Sequence, residues 1–94
     1  MGVRERKVEK YLNTKVEFYG GITRKWVSPG NDGVPDRIVF YRGKVYFVEV
    51  KTTDGELSKV QCREHKRLEL KGAEVFTVYG NEGVDAWINV VLLK

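Results

Sequence analysis

Two carboxylates and one amine stand beside two neighbouring apolar runs of the chain. The runs, residues 38–41 and 45–50, are rich in β-branched and aromatic side chains and are joined by a short Arg-Gly turn. This composition predicts a β-hairpin. Asp36 comes just before the first run, while Glu49 and Lys51 lie at the end of the second. Charged groups set into apolar strands are candidates for metal or phosphate chemistry.

The length of the turn decides which side chains meet. A two-residue loop at Arg42 and Gly43 pairs residues whose numbers sum to 85, so Asp36 faces Glu49. Opposed side chains lie about 5 Å apart at Cβ, and Lys51 shares their face because strand side chains alternate. A three-residue loop would shift this register by one residue, and a bulge could restore it.

Two carboxylates forced together repel each other unless a cation lies between them. Mg²⁺ takes oxygen ligands, keeps several waters and uses only one or two protein carboxylates, so these residue types favour a magnesium site. The alternative on spacing alone is a surface ion pair. In that case Asp36 begins one strand, Lys51 ends the next, and Glu49 forms a salt bridge at the rim.

The order of these residues resembles a nuclease motif. Residues 35–36 (Pro-Asp) and 49–51 (Glu-Val-Lys) are similar to the PD-(D/E)xK pattern of restriction-endonuclease-like nucleases. The resemblance is closer to the virus-type replication-repair nuclease (VRR-NUC) domain, and it extends over about residues 4–80. Three further segments fit that domain: residues 30–34, 55–61 and 71–75. We predict one α/β domain over residues 1–94, and the resemblance implies a restriction-endonuclease-like mixed sheet flanked by helices.

The resemblance also implies a metal-dependent endodeoxyribonuclease that hydrolyses DNA phosphodiester bonds. Asp36, Glu49 and the carbonyl of Val50 would hold one or two Mg²⁺ ions, with Mn²⁺ as a substitute. Lys51 would orient the attacking water and stabilise the growing negative charge. In the resembled families, a glutamate of the first helix and a glutamine after the ExK strand complete the site.

The first of these two roles falls on the N-terminal helix, predicted over residues 1–15. Val8 and Leu12 mark its apolar side. Glu5 lies within that stripe and is the predicted metal ligand, whereas Glu9 sits about 100° round from Val8 and is the alternative. Glu5 could equally be an ordinary solvated glutamate.

The second role falls on a helix that Ser58 is predicted to cap and that runs to about Lys71. Gln61 shares a face with Glu64 and Leu68, so its amide should point inward toward the site. Bonding of that amide to nearby backbone is the alternative. The other side carries a basic stripe, for which phosphate contact and simple solvation are both open: Lys59, Arg63, Lys66, Arg67 and Lys71.

Two further reactive residues on this helix receive no chemical role. His65 has no Cys or His ligand partners nearby and is predicted to be a packing or surface residue. Cys62 has no activating arrangement, so a thiol mechanism is not expected.

The remaining segments are predicted as supporting structure. Residues 23–27 should form a strand, residues 28–33 a loop that leads to Asp36, and residues 73–79 a strand parallel to the ExK strand. Residues 84–91 are predicted to be helical because Val84, Trp87, Ile88 and Val91 share a face, although residues 90–93 could form an edge strand.

Composition limits the function classes. The 94 residues include 17 Lys plus Arg and 13 Asp plus Glu, which gives a net charge of +4 and allows a polyanionic partner. The single cysteine excludes an intramolecular disulfide, and no apolar run is long enough for a membrane span or signal sequence. We therefore expect an intracellular protein without membrane contact, from a prokaryotic or phage-infected cell.

Chain length suggests the assembly. A short nuclease gains a large DNA footprint most easily from two copies, and stand-alone VRR-NUC domains look like dimeric resolvases of four-way (Holliday) junctions. We therefore predict a homodimer that binds branched DNA, with Phe18 and Tyr19 at its interface, although this pair could instead pack into the core. A flap- or nick-directed repair nuclease and a non-catalytic DNA-binding module on the same fold are the alternatives.

Overall fold

A four-stranded mixed sheet forms the centre of the computed structural model, which describes residues 2–94. The helices are α1 (Val3–Phe18), α2 (Lys59–Leu70) and α3 (Gly80–Trp87), and α3 continues as a π-helical segment, Ile88–Leu92. The strands are β1 (Ile22–Lys25), β2 (Arg37–Tyr41), β3 (Lys44–Lys51) and β4 (Val75–Tyr79), in spatial order β1-β2-β3-β4.

The β2–β3 hairpin has the register expected from a two-residue loop. Tyr41 pairs with Lys44, and the antiparallel ladder continues to Arg37 and Val48. Arg42 and Gly43 both have positive φ, 47° and 78°, as a type I′ turn requires. The three-residue loop and the compensating bulge are therefore wrong.

The last strand pairs as predicted. β4 lies parallel to β3, with Lys51 opposite Tyr79, and α2 forms the crossover between them. The final segment is helical as far as Leu92, so the alternative of an edge strand over residues 90–93 is wrong. β1 also begins and ends earlier than predicted, at Ile22 and Lys25, because the chain then turns into the loop that leads to β2.

The hydrophobic core lies on one face of the sheet only. Side chains alternate along each strand, and on β2 and β3 those of one parity pack against α1 and α3. The core is formed by Val8, Leu12, Val16, Val39, Tyr41, Tyr46, Val48, Val50, Val78, Val84, Trp87, Ile88 and Leu92. None of these residues belongs to α2, and the second face of the sheet carries both apolar and charged side chains, with Ile38 and Phe47 among the apolar ones. Glu49 and Lys51 lie on that second face.

Two further expectations concern the surface. Phe18 is 78% exposed while Tyr19 is partly buried against the core, so packing of the whole pair into the core is wrong. No helix within residues 2–94 combines the length and the apolar character needed to cross a bilayer.

Candidate active site

The hairpin brings Asp36 and Glu49 together at the end of the strands away from the turn. The ladder ends at Arg37 and Val48, and one further step in the same register sets Asp36 opposite Glu49. Pro35, which has no N–H to offer a ladder, is fully buried just before this point. The Asp36 carbonyl accepts from the backbone N–H of Trp26 at 3.0 Å, which holds Asp36 at the start of β2.

Asp36 is half-buried and is bonded to the backbone of β3. Its Oδ2 accepts a hydrogen bond from the N–H of Val50 at 2.8 Å. Burial raises the pKa of Asp36 to about 6, and the nearby Glu49 carboxyl adds to this effect. The Val50 N–H and the Lys51 ammonium act in the opposite direction on that pKa. The site therefore contains two carboxyl groups whose charges interact strongly.

Glu49 is almost fully enclosed, with 2% of its side chain exposed. Its Oε2 accepts a hydrogen bond from Nε2 of Gln61 at 3.1 Å and lies 3.7 Å from Nζ of Lys51. A salt bridge at an exposed rim, the alternative on spacing alone, is therefore wrong. Enclosure of a carboxylate on this scale is costly unless other groups or an ion compensate its charge.

Gln61 links the start of α2 to the carboxylates. Its backbone N–H donates to Oγ of Ser58 at 3.1 Å, and its side-chain Oε1 accepts from the Ser58 N–H at 2.9 Å, which forms a capping box. With Oε1 used in this way, the side-chain NH₂ is directed at Glu49. The predicted N-cap is confirmed, and both predicted uses of the Gln61 amide occur: Nε2 donates inward to Glu49, while Oε1 bonds to nearby backbone.

His65 is a site residue that sequence reasoning missed. It is 5% exposed rather than a surface residue, and its Nε2 lies 3.5 Å from Oε1 of Glu49. Within residues 2–94, neither atom has a hydrogen-bond partner. The available signal was its spacing, because His65 follows Gln61 by four residues and shares its helical face.

The two glutamates of α1 have different surroundings. Oε2 of Glu9 accepts from Nη1 of Arg37 at 3.0 Å, and Arg37 also donates to Oγ1 of Thr23 at 2.7 Å. Glu9 is therefore part of a buried ionic link between helix and sheet.

Glu5 is half-buried near the start of α1, and its side chain makes no hydrogen bond or ion pair with any residue in the described part of the chain. Its neighbour Arg4 lies 3.7 Å from Asp54, in the turn after β3. The start of α1 and the site therefore lie near the same end of β3, although no contact joins Glu5 to the carboxylates.

The donor set suits a hard divalent cation. Oε1 of Glu49 is buried with no hydrogen bond, beside a second carboxyl group. Across residues 2–94, no group of three or more His, Cys, Asp and Glu side chains is arranged to hold a metal. Two carboxylates with water in the remaining positions match the way Mg²⁺ binds to proteins.

Comparison with known proteins adds two likenesses. "Putative nuclease p44" of Acyrthosiphon pisum secondary endosymbiont phage 1 is 44% identical over 77 residues, which is 81% of this chain and 83% of that protein. A solved structure described as a VRR_NUC domain matches with a TM-score of 0.86 and 34% identity, over 96% of this chain and 99% of that one. No family model matches the chain. The predicted α/β fold is confirmed by the structural likeness.

Proposed function

This chain belongs to the virus-type replication-repair nuclease family, and from that premise we propose that it is a metal-dependent endonuclease that hydrolyses DNA phosphodiester bonds. One observation carries the proposal. The enclosed Glu49 lies beside Asp36, its Oε1 has no hydrogen bond, and the Lys51 ammonium is 3.7 Å from its Oε2. A protein that only binds DNA gains nothing from buried carboxylates where it meets phosphate.

Each residue then has a defined task. Asp36, Glu49 and the Val50 carbonyl would hold the metal, with Glu5 as a further carboxylate ligand; Mg²⁺ is the proposed ion and Mn²⁺ its substitute. When bound, such an ion would supply polarisation of the phosphate and a lower pKa for water. Lys51 orients the attacking water and faces the negative charge that grows on the phosphate. Gln61 fixes the orientation of Glu49 through its hydrogen bond to Oε2.

The first experiment compares wild type with Asp36→Asn on labelled four-way junction, flap and linear duplex DNA, in Mg²⁺ or EDTA. Asn keeps an oxygen for the Val50 N–H bond but removes the charge, so folding should survive. Asp54→Asn is the matched control, because the Asp54 side chain is 77% exposed. We expect Mg²⁺-dependent cutting by wild type and the control only. Equal cutting by Asp36→Asn, or cutting in EDTA, would refute the proposal.

Branched DNA is the proposed substrate, and a homodimer is the proposed form. Two-fold symmetry would direct two sites at symmetry-related strands of a four-way junction. The exposed ring of Phe18 supports an interface near the end of α1. We expect paired symmetric nicks in the junction. We also expect light scattering to give the mass of a dimer for wild type and of a monomer for Phe18→Asp. Cutting of only linear or flapped DNA by a monomer would contradict this part.

Two other functions remain as outcomes of the same experiment. Selective cutting of the flap or of nicked duplex would identify a repair nuclease of the flap- or nick-directed type. Junction binding without cutting, unchanged by EDTA and by Asp36→Asn, would identify a DNA-binding module that keeps the fold without turnover. The phage origin of the 44% identical relative supports action inside a prokaryotic or phage-infected cell.

A further inference from the structure

A groove with cationic side chains runs beside the candidate active site. It has a volume of about 770 Å³ and lies between the loop before β2 and one side of α2. Its lining includes Asp32 from the loop and Arg63, Glu64, Lys66 and Arg67 from α2. Such a volume lies within the range of about 300 to 1,000 Å³ that is usual for ligand sites.

The groove and the site share a wall. Gly33 packs so tightly on α2 that a Cβ there would lie 2.7 Å from the Val60 carbonyl oxygen and 3.1 Å from Cα of Gln61. The contact between Gly33 and residues 60–61 of α2 is called the seam below. Gln61 bonds to Glu49 on one side of this seam, while its neighbours Val60 and Cys62 line the groove. The groove and the carboxylates therefore adjoin the same turn of α2.

The charges in the groove are available to a ligand. Arg63, Lys66 and Arg67 are exposed, and none forms an ion pair with any residue in the part of the chain that the structure describes. The two acidic lining residues are Asp32 and Glu64. Three cations against two carboxylates leave a net positive charge, which suits a polyanion.

We propose that this groove binds the sugar–phosphate backbone of the DNA strand next to the phosphate that is cut, through Arg63, Lys66 and Arg67. The proposal rests on the proposed nuclease function and assigns the basic side of α2 a place in substrate binding. Because phosphate contacts displace counterions, each contact adds about 0.9 to the salt dependence of duplex binding. The groove is thus distinguishable from a merely solvated helix face.

The test measures binding of labelled duplex and four-way junction by fluorescence anisotropy, in Ca²⁺ and in EDTA, over a range of salt concentrations. The test variant is Arg63→Gln/Lys66→Gln. The control, Arg42→Gln/Lys44→Gln, removes the same charge at the hairpin turn, at the other end of the strands from the site. We expect the groove variant to lose about 10- to 100-fold in affinity at about 0.1 M salt, and its salt slope to fall by about 2. The control should keep the slope of wild type.

A second variant removes a negative charge from the groove and should have the opposite effect on DNA affinity. Asp32→Asn keeps a residue that suits a turn but removes a negative charge from the groove, so it should tighten DNA binding several-fold. Glu17→Gln, on exposed α1 surface, should leave affinity unchanged. A groove that contacts no phosphate would give neither change.

Cleavage in Mg²⁺, measured in parallel, separates the two proposals. If wild type cuts DNA and the groove variant keeps the DNA affinity and salt slope of wild type, the proposed DNA binding by the groove is refuted and the proposed nuclease function stands. Lost binding in the groove variant, without cutting by wild type under any condition, would support the groove and overturn the nuclease. Wild type that neither binds nor cuts DNA would overturn both.

Discussion

Nε2 of His65 lies 3.5 Å from Oε1 of Glu49, and neither atom has a hydrogen-bond partner within residues 2–94. The Oε2 atom of Glu49 thus accepts a hydrogen bond from Gln61, while its Oε1 atom faces His65. Both contacts come from the same face of α2, one helical turn apart. The helix therefore controls the orientation of a carboxylate that belongs to β3.

The first prediction concerns this contact. His65→Leu fills similar space but replaces the polar neighbour of Oε1 with an apolar one, so the charged form of the enclosed Glu49 should become less favourable. We expect Mg²⁺ affinity to fall about tenfold, the lower end of the losses seen when a partner of a metal ligand is removed. His65→Gln, which can return an N–H to this position, should recover most of the affinity. Isothermal titration with Mg²⁺ checks both.

Cys62→Ser is the control for that experiment, because Cys62 is exposed and lies on another side of α2. Its Mg²⁺ affinity should equal that of wild type. Equal affinity in His65→Leu would show that His65 is only a packing residue.

Most of the site could be predicted because local rules determine it. A two-residue loop sets the pairing of the whole hairpin, so Asp36 and Glu49 had to meet. Ser58 and Gln61 form a capping box that fixes where α2 begins and where the Gln61 amide points. These relationships span few residues and depend little on tertiary packing.

The rest depended on packing that local patterns do not encode. His65 lies beside Glu49 because α2 packs over the second face of the sheet; its spacing from Gln61 gives the shared helical face, but not the contact with Glu49. The ion pair of Glu9 with Arg37, which separates its surroundings from those of Glu5, also depends on how α1 packs on the sheet. The loop over residues 28–33 faces the basic side of α2 for a similar reason, through the close approach of Gly33.

The second prediction separates the two functions of Gln61. Gln61→Glu keeps an oxygen for the Ser58 N–H but replaces the donor to Glu49 with another oxygen. The lost bond and the added repulsion should cost about 1–3 kcal/mol of unfolding free energy, or at least several degrees in Tm, since about 1 kcal/mol shifts the Tm of a domain this small by 4–8 °C.

Gln61→Leu, which loses the cap and the bond together, is the comparison. Thermal unfolding in EDTA at about pH 8 and about pH 5 should show recovery at low pH for Gln61→Glu alone, because only that variant gains a group that protonation neutralises. A Gln61→Glu protein as stable as wild type at the higher pH would contradict the contact with Glu49.

The third prediction concerns pH. The folded state raises the pKa of Asp36 from 3.8 to about 6, so folded protein holds this proton more tightly than unfolded chain does. The associated stability is present below about pH 4 and is lost as pH rises through about 6. In EDTA, Asp36→Asn should therefore be more stable than wild type near neutral pH. Its unfolding free energy should also change less than that of wild type between about pH 4 and about pH 6. Asp54→Asn should follow wild type. Parallel pH profiles for wild type and Asp36→Asn would refute the shift.

The fourth prediction tests the seam between the loop and α2. Gly33 and Gly30 have φ of +89° and +84°, so alanine is strained to a similar extent at both positions. Only at Gly33 does a Cβ meet other atoms, whereas at Gly30 it meets nothing within 4 Å. Gly33→Ala should cost about 1–3 kcal/mol more than Gly30→Ala in chemical denaturation, as expected for overpacking. Equal losses would show that the loop does not pack on α2 in solution.

The fifth prediction distinguishes the two glutamates of α1. Glu9→Ala leaves the Arg37 guanidinium, whose side chain is 13% exposed, without its partner. Unfolding free energy should fall by about 3 kcal/mol, since removal of one member of a buried pair strands the other charge. Mg²⁺ affinity of the folded protein should not change.

Glu5→Ala should have the reverse effect. Its stability should be near that of wild type, and its Mg²⁺-dependent cleavage should be lowered at least about tenfold, as expected for a lost contributor to a metal site. Denaturant titration and cleavage at several Mg²⁺ concentrations, both well below the Tm of each variant, measure the two effects separately. Wild-type cleavage by Glu5→Ala would exclude Glu5 from the metal site, and a loss of Mg²⁺ affinity in folded Glu9→Ala would assign that role to Glu9.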